Sequence, residues 1–381
     1  MLADVHDVSF ISLYETKEEI SQQNINHLQS ICKWVEFHRA PSKQPGLELF
    51  SRLIASIFSL KPYIIWRHYS RKFHKRVKDL INSNNFDLIL LDNLPIAYCI
   101  VKDSKTPQML TDHDVSYIKC SRMAEQKTNY LVKIFYYLEA IKLKYYEKEI
   151  IGQVSMCITV SESDKITLQG LNPGANLIVI ENGVDIDEFN VDSTDSIPTE
   201  LLWFGGFSNG PNKESMQYYI EKIHHLITKE IPSVRLEILG GGDTNWISKI
   251  TKNDKSLNAR GYVEDIMPYA KKAGIFISPI TSGGGTKLKV IEAMAFGKAI
   301  VTTSIGCEGI EGENGKEYLI ADTPIDFAKA VINLAQNEDL RNKIGKNARK
   351  HIENKYDWRL INNKLSSVFN DPTLNRHKNA N

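Results

Sequence analysis

Three consecutive glycines, Gly283-Gly284-Gly285, stand between an apolar strand-like run, Ile275-Phe276-Ile277-Ser278-Pro279, and an apolar-periodic run from Lys287 to Gly297 that reads as a helix. A strand-to-helix turn of this kind leaves backbone N–H groups bare at the positive end of a helix, which is a ready anion site. Gly284, Gly285 and Thr286 form the cradle, Lys287 adds a mobile cation, and Glu292 follows one to two turns further in. A phosphate cradle with a carboxylate at that reach suits a nucleoside diphosphate, the carboxylate accepting hydrogen bonds from the ribose diol. The plainer alternative is a surface loop ahead of a solvated helix, because glycine-rich turns are common.

Strand patterns alternate with helical ones along the whole chain, which argues for parallel sheets flanked by helices. In the amino-terminal half the strands are expected at Val8–Leu13, Trp34–His38, Phe86–Leu91, Gln108–Thr111, Met156–Val160 and Leu177–Ile180. Long helices are expected over Tyr63–Asn82 and Val115–Ile150, the second long enough to invite a break. The polar stretch Asp185–Thr199 reads as a linker. A second sheet is expected from Leu201–Gly205, Val234–Leu239, Leu257–Gly261, Ile275–Ser278, Ala299–Thr302 and Glu317–Ile320, with helices at Pro324–Gln336 and Leu340–Asn354. Two domains result, 1–184 and 185–355, each large enough for its own core. A last helix over about 356–370 packs back on the first domain.

Composition removes several classes of partner. The 381 residues carry a net charge of +1, whereas a nucleic-acid binder shows a basic excess. Cys32, Cys99, Cys120, Cys157 and Cys307 are scattered, with no CxxC pair and no histidines at ligand spacing, so they read as reduced thiols of a cytoplasmic protein. No apolar run reaches the length of a membrane span, and the first residues lack a signal-peptide pattern. The segment from Lys61 to Lys78 is basic, free of Asp and Glu, and interleaved with Trp66, Tyr69 and Phe73. It suits an anionic membrane surface at the inner face. The alternative is a solvated helix with its aromatics in the core.

The block Gly283–Gly297 with Lys298-Ala299-Ile300-Val301-Thr302-Thr303, the run Leu202-Trp203-Phe204-Gly205-Gly206-Phe207 with Pro211-Asn212, Arg260–Asp265, and Glu181-Asn182-Gly183-Val184-Asp185 occur in an order that resembles the retaining GT-B glycosyltransferases of the group 1 (family 4-like) type. The resemblance is strongest from Asn182 to Phe369. It implies two Rossmann-like, doubly wound domains facing a central cleft, with the donor site in the second. It also implies transfer of a sugar from a nucleotide-diphosphate sugar, with retention, to a glycan or lipid-linked acceptor. No metal or other cofactor is implied. Donor-binding residues would be Gly205, Gly206, Gly284, Gly285, Thr286, Lys289 and Glu292, with Tyr262 and Val263 flanking the base. Lys287 would stabilise the departing diphosphate, and His113, in Thr111-Asp112-His113-Asp114, would hold the donor sugar. Two rival readings are a non-catalytic nucleotide-sugar-binding or partner-stabilising protein and a nucleotide-sugar epimerase of the same fold.

Each assignment has a bland counterpart. The alternative for His113 is a satisfied structural histidine beside a capping Asp114. Lys289 could face solvent, Asn212 reads as a helix N-cap, Tyr262 and Val263 as core, and His224 and His225 as surface residues. The chain also departs from the family pattern. The first Glu of a Glu-x7-Glu pair falls on Gly284, and Gly206–Asn212 holds no Arg or Lys, so Lys287 with Lys289 or Lys213 must supply the positive charge. The strand and glycine loop that usually precede a segment like His6–Leu13 are missing, through a late start site, a rearranged sheet or a degraded domain. Loss of that central strand would leave its two neighbours with unpaired backbone groups.

Overall fold

The computed structural model describes residues 2–15, 20–41, 46–102, 104–189 and 196–370. The chain divides into two compact units, Met1–Ile180 with Asn362–Asn381, and Glu181–Ile361. In the first, β1 (Ser9–Tyr14) and β2 (Trp34–Arg39) pair only with each other, while β3 (Ile89–Asp92), β4 (Gln108–Asp112), β5 (Met156–Thr159) and β6 (Leu177–Val179) form a separate sheet in that order. Every pairing is parallel. The strands of this unit thus form two separate sheets, and among the described residues no strand pairs with the open edges of β1 and β3. Side chains hold the detached pair instead: Ile11 and Leu13 of β1 pack on the core around Leu94, Leu110 and Cys157.

Both long helices expected in this unit are broken. The first becomes Tyr63–His68 and Arg71–Ser83, because the Ser70 hydroxyl accepts from the Phe73 N–H and starts a new helix. The second becomes Ser116–Gln126 and Tyr130–Ile151, with Asn129 capping the latter in the same way. Within 61–78 the aromatics turn inward: Phe73 is buried, and Tyr69 packs edge-on against both Trp66 and Tyr98. Arg76 is paired with Glu36 at 2.8 Å. That segment presents a basic face and no aromatic one.

The second unit is a six-stranded parallel sheet. Its strands are β7 (Ile197–Phe204), β8 (Arg235–Leu239), β9 (Leu257–Gly261), β10 (Ala273–Ser278), β11 (Ala299–Thr302) and β12 (Leu319–Ile320). They run in the order β12-β11-β10-β7-β8-β9. Leu201 and Trp203 of β7 join one core cluster, Leu202 and Phe204 the other, as the period of two along a strand dictates when both faces are covered. The expected linker is corrected at its end, since β7 begins at Ile197; residues 190–195 lie outside the described residues. Its start is tied down by Arg349, which donates to the carbonyls of Ile186 and Phe189 at 2.9 and 2.8 Å. His224 is also corrected. It is buried, with ring nitrogens 2.6 Å from Ser256 Oγ and 3.2 Å from Tyr219 Oη, beside a single turn of π-helix.

Strand order reverses between β7 and β10. From β7 the chain builds outward through β8 and β9, and from β10 it builds the other way through β11 and β12. Open α/β sheets bind ligands beyond the carboxyl ends of the strands at such a reversal. The two glycine loops noted in the sequence, after β7 and after β10, both lie there.

Candidate functional site

The loop after β10 is fixed from several sides. Thr303 Oγ1 donates to the Ile280 carbonyl, and Ser282 Oγ donates to Glu214 at 3.0 Å. Gly283 and Gly285 have φ of 105° and 67°, a left-handed backbone that side chains resist. Lys287 is the residue before helix Leu288–Ala295, and its ammonium folds back onto the carbonyls of Gly284 and Gly285 at 3.1 and 2.6 Å. The cation therefore sits at the mouth of the cradle. The Thr286 hydroxyl is buried there with no hydrogen-bond partner among the described residues.

Lys289 does not face solvent. Its ammonium is buried, donates to Asn212 Oδ1 at 2.5 Å, and lies 4.6 Å from the centre of the Trp203 ring. Asn212 Nδ2 in turn donates to the Gly206 carbonyl at 2.8 Å. Asn212 is thus no N-cap, a place held by Asn209; it is the bridge that ties Lys289 to the β7 loop. A Cβ on Gly205 would lie 2.7 Å from Lys289 Nζ, so the glycine is what lets the ammonium approach that loop. Burial pushes the Lys289 pKa down to about 7; Glu292 opposes the shift and Lys287 adds to it. The Glu292 carboxyl is raised, chiefly by burial, with Lys289 pulling it down and Glu188 pushing it up. Lys213 is engaged elsewhere, paired with Asp243 at 2.8 Å.

Along the β7 side, the Phe207 N–H donates to the Gly241 carbonyl at 2.8 Å, and Gly241 lies against Tyr262. Tyr262 is 77% exposed, not core, whereas Val263 packs on a core cluster. The second unit therefore gathers Gly205, Gly206, Gly284, Gly285, Thr286, Lys287, Lys289 and Glu292 around the ends of β7 and β10, with Tyr262 at the margin. Trp203, Asn212 and Glu188 belong to this neighbourhood too. Trp203 and Asn212 sit in the stretches that carry the resemblance, but nothing in spacing gives them a contact with Lys289.

His113 stands in the first unit, at the end of β4. Its Nε2 is 2.7 Å from Asp92 Oδ1, and that hydrogen bond raises the imidazole pKa against the opposing effect of burial. Asp114 pairs with Lys119 at 2.6 Å. The neighbouring Asp112 is buried, neither oxygen is hydrogen-bonded among the described residues, and burial, reinforced by Glu147, drives its pKa far up. Glu147, itself buried, accepts from the N–H groups of Ser116 and Tyr117 at 2.6 and 3.2 Å and so caps the next helix. Among the described residues no set of His, Cys, Asp and Glu is arranged to hold a metal ion.

Residues 198–337 match the family model described as Glycosyl transferases group 1, and residues 35–188 match that described as Glycosyltransferase Family 4. The chain belongs to the group 1 glycosyltransferases. Among its relatives is the Uncharacterized 44.6 kDa protein in cps region of Klebsiella pneumoniae, 26% identical over 96% of this chain and 91% of that protein. Another is the Capsular polysaccharide biosynthesis glycosyltransferase CapM of Staphylococcus aureus, 24% identical over 61% of this chain and 67% of that one. The crystal structure of Anabaena Alr3699/HepE in complex with UDP superimposes with a TM-score of 0.62 at 13% identity, over 95% of this chain and 99% of that one. This group 1 enzyme has the two-domain, Rossmann-like GT-B fold.

Proposed function

We propose that this glycosyltransferase takes a sugar from a nucleoside-diphosphate sugar and passes it, with retention, to a hydroxyl of a glycan or lipid-linked acceptor during polysaccharide synthesis. The observation that carries the reading is the buried Lys289 ammonium, held by Asn212 and Trp203 beneath the glycine loop at the strand-order reversal. A desolvated cation facing two glycine loops suits a diphosphate. The UDP-bound neighbour and the polysaccharide role named for CapM support the same class of donor and pathway. The five cysteines are free, as a reducing, cytoplasmic compartment allows.

The chemistry follows from charge. As the bond from the anomeric carbon to the phosphate oxygen breaks, negative charge grows on the diphosphate. The loop N–H groups and Lys287 stabilise that charge most in the transition state, while Lys289 holds the diphosphate before and after the bond breaks. The acceptor oxygen bonds to the same face of the anomeric carbon, and its proton passes to the departing phosphate. No enzymatic nucleophile is needed. In this scheme His113, held by Asp92, hydrogen-bonds a sugar hydroxyl. Incubation with a panel of nucleotide sugars and acceptors, with the product's anomeric configuration read by NMR, tests the reading. Inverted product removes retention, and an epimerised nucleotide sugar formed without acceptor removes transfer.

Two further results are expected. Glu292→Gln keeps the shape but loses a charge-assisted acceptor for the ribose diol, so donor affinity should fall by about 10- to 100-fold with the melting temperature unchanged. Calorimetry showing equal affinity would take Glu292 out of the site. The second concerns pH. With its pKa depressed to about 7, Lys289 in the free protein is largely neutral at pH 8, and a bound diphosphate favours its charged form. Donor binding at pH 8 should therefore take up a proton, and affinity should fall as pH rises from 7 to 9, by at most about tenfold per unit. Binding enthalpies that are the same in buffers of different ionisation enthalpy would place the diphosphate away from Lys289.

A further inference from the structure

Helix Leu47–Ile57 with the turn after it, and one side of helix Tyr130–Ile151, turn large apolar side chains outward. Phe50, Phe58 and Leu60 are 60%, 87% and 93% exposed, and Leu138, Ile141 and Tyr145 are 53%, 54% and 71% exposed. The two elements are neighbours. Lys142 Nζ donates to the Ser56 carbonyl at 2.8 Å, the Tyr63 N–H donates to Glu139 Oε2 at 2.5 Å, and the Tyr63 and Phe135 rings lie 6.2 Å apart. Arg52 fastens the first helix to the basic segment by donating to the carbonyls of Trp66 and Tyr69 at 2.6 and 2.9 Å. On the long helix, Ile134, Leu138, Ile141 and Tyr145 recur at helical spacing along the outer side, while Ala140, Leu143, Tyr146 and Ile150 fill the inner one. A helix apolar on both faces has an outer surface that wants covering.

Charge says what covers it. Between Phe50 and Lys78 there is no Asp or Glu. On the long helix Glu139 and Glu147 are buried, so Lys133, Lys144 and Lys148 outnumber the one exposed acid, Glu149, and leave its outer surface basic. An apolar face rimmed by cations repels a second copy of itself. It attracts a surface with anionic heads over an apolar interior. We propose that this face docks on an anionic lipid bilayer, Phe58, Leu60 and Leu138 entering the headgroup boundary and the lysines with the basic segment 61–78 lying over the phosphates. Among the described residues no helix is long and apolar enough to cross a membrane, so the contact is peripheral. The proposal is independent of which sugar is transferred.

The test is sedimentation of the full chain with vesicles of phosphatidylcholine alone and of phosphatidylcholine mixed with phosphatidylglycerol. The protein should pellet with the mixed vesicles and not the neutral ones, and salt should release it. Phe58→Ser with Leu60→Ser and Leu138→Ser, and separately Lys133→Gln with Lys144→Gln, should each lower affinity for the mixed vesicles about tenfold or more at an unchanged melting temperature. Equal recovery with both vesicle types, no recovery with either, or unaltered binding by both variants overturns the proposal. So does a dimer in sedimentation velocity that the triple serine variant breaks, since the face would then belong to a second copy.

Discussion

Lys287→Ala should lower kcat by about 100-fold or more while the protein stays folded. The lysine is the cation at the mouth of the glycine cradle, and removal of one donor from a developing oxyanion typically costs two to three orders of magnitude. Its ammonium rests on the carbonyls of Gly284 and Gly285, and the side chain belongs to neither core cluster of this unit. Stability should therefore change by less than about 1 kcal/mol, as for substitutions outside packed regions. Because charge on the diphosphate is greatest in the transition state, the loss should fall on kcat more than on donor affinity. Lys289→Met supplies the contrast. Lys289 is buried beside Trp203 and Asn212, so its loss should weaken donor binding, and the steep pH dependence of binding above pH 7 should vanish with it. Steady-state kinetics in which Lys287→Ala changes only the acceptor KM would remove Lys287 from the leaving-group side.

Strand positions were legible in the sequence because period-two apolar runs bounded by turns depend on local pattern alone: β4, β5 and β11 start at the expected residues. Helix breaks were harder. Tyr69-Ser70 and Lys127–Asn129 lie inside continuous helical patterns, and what ends each helix is a side-chain cap at Ser70 or Asn129 that competes with propensity. The candidate site was legible in its glycines and charges but not in its contacts. Lys289 reads as a solvent-facing lysine on a helix; only the third dimension puts Trp203 and Asn212, 86 and 77 residues away in sequence, around its ammonium. The same holds for two of the three acids of helix Tyr130–Ile151. Glu139 and Glu147 look like solvated charges, yet they turn inward to backbone N–H groups and leave lysine and apolar residues to dominate the outer side.

Gly240→Ala should both destabilise the second unit and damage the site, although residue 240 has no ligand-facing group. A Cβ there would sit 2.0 Å from the Gly205 carbonyl oxygen and 2.9 Å from its carbon, a clash with backbone that no rotamer relieves. The two loops cannot simply part. The Gly205 N–H donates to the Leu239 carbonyl at 2.9 Å, and the Gly240 N–H donates to the Gly261 carbonyl at 2.7 Å. Overpacking against fixed backbone costs about 1–3 kcal/mol, which in a unit of this size lowers the melting temperature by about 2–12 °C. The displaced Gly205 moves against Lys289 and Asn212, so donor affinity should drop at least about tenfold in the same variant. Gly206→Ala separates the two effects. A Cβ at Gly206 meets nothing within 4 Å, so the fold should tolerate it, and any loss of donor binding reports a ligand lying on that residue. Equal melting temperatures for Gly240→Ala and the native chain would show that the β7 and β8 loops yield to one another. The rigid glycine floor inferred for the diphosphate would then be absent.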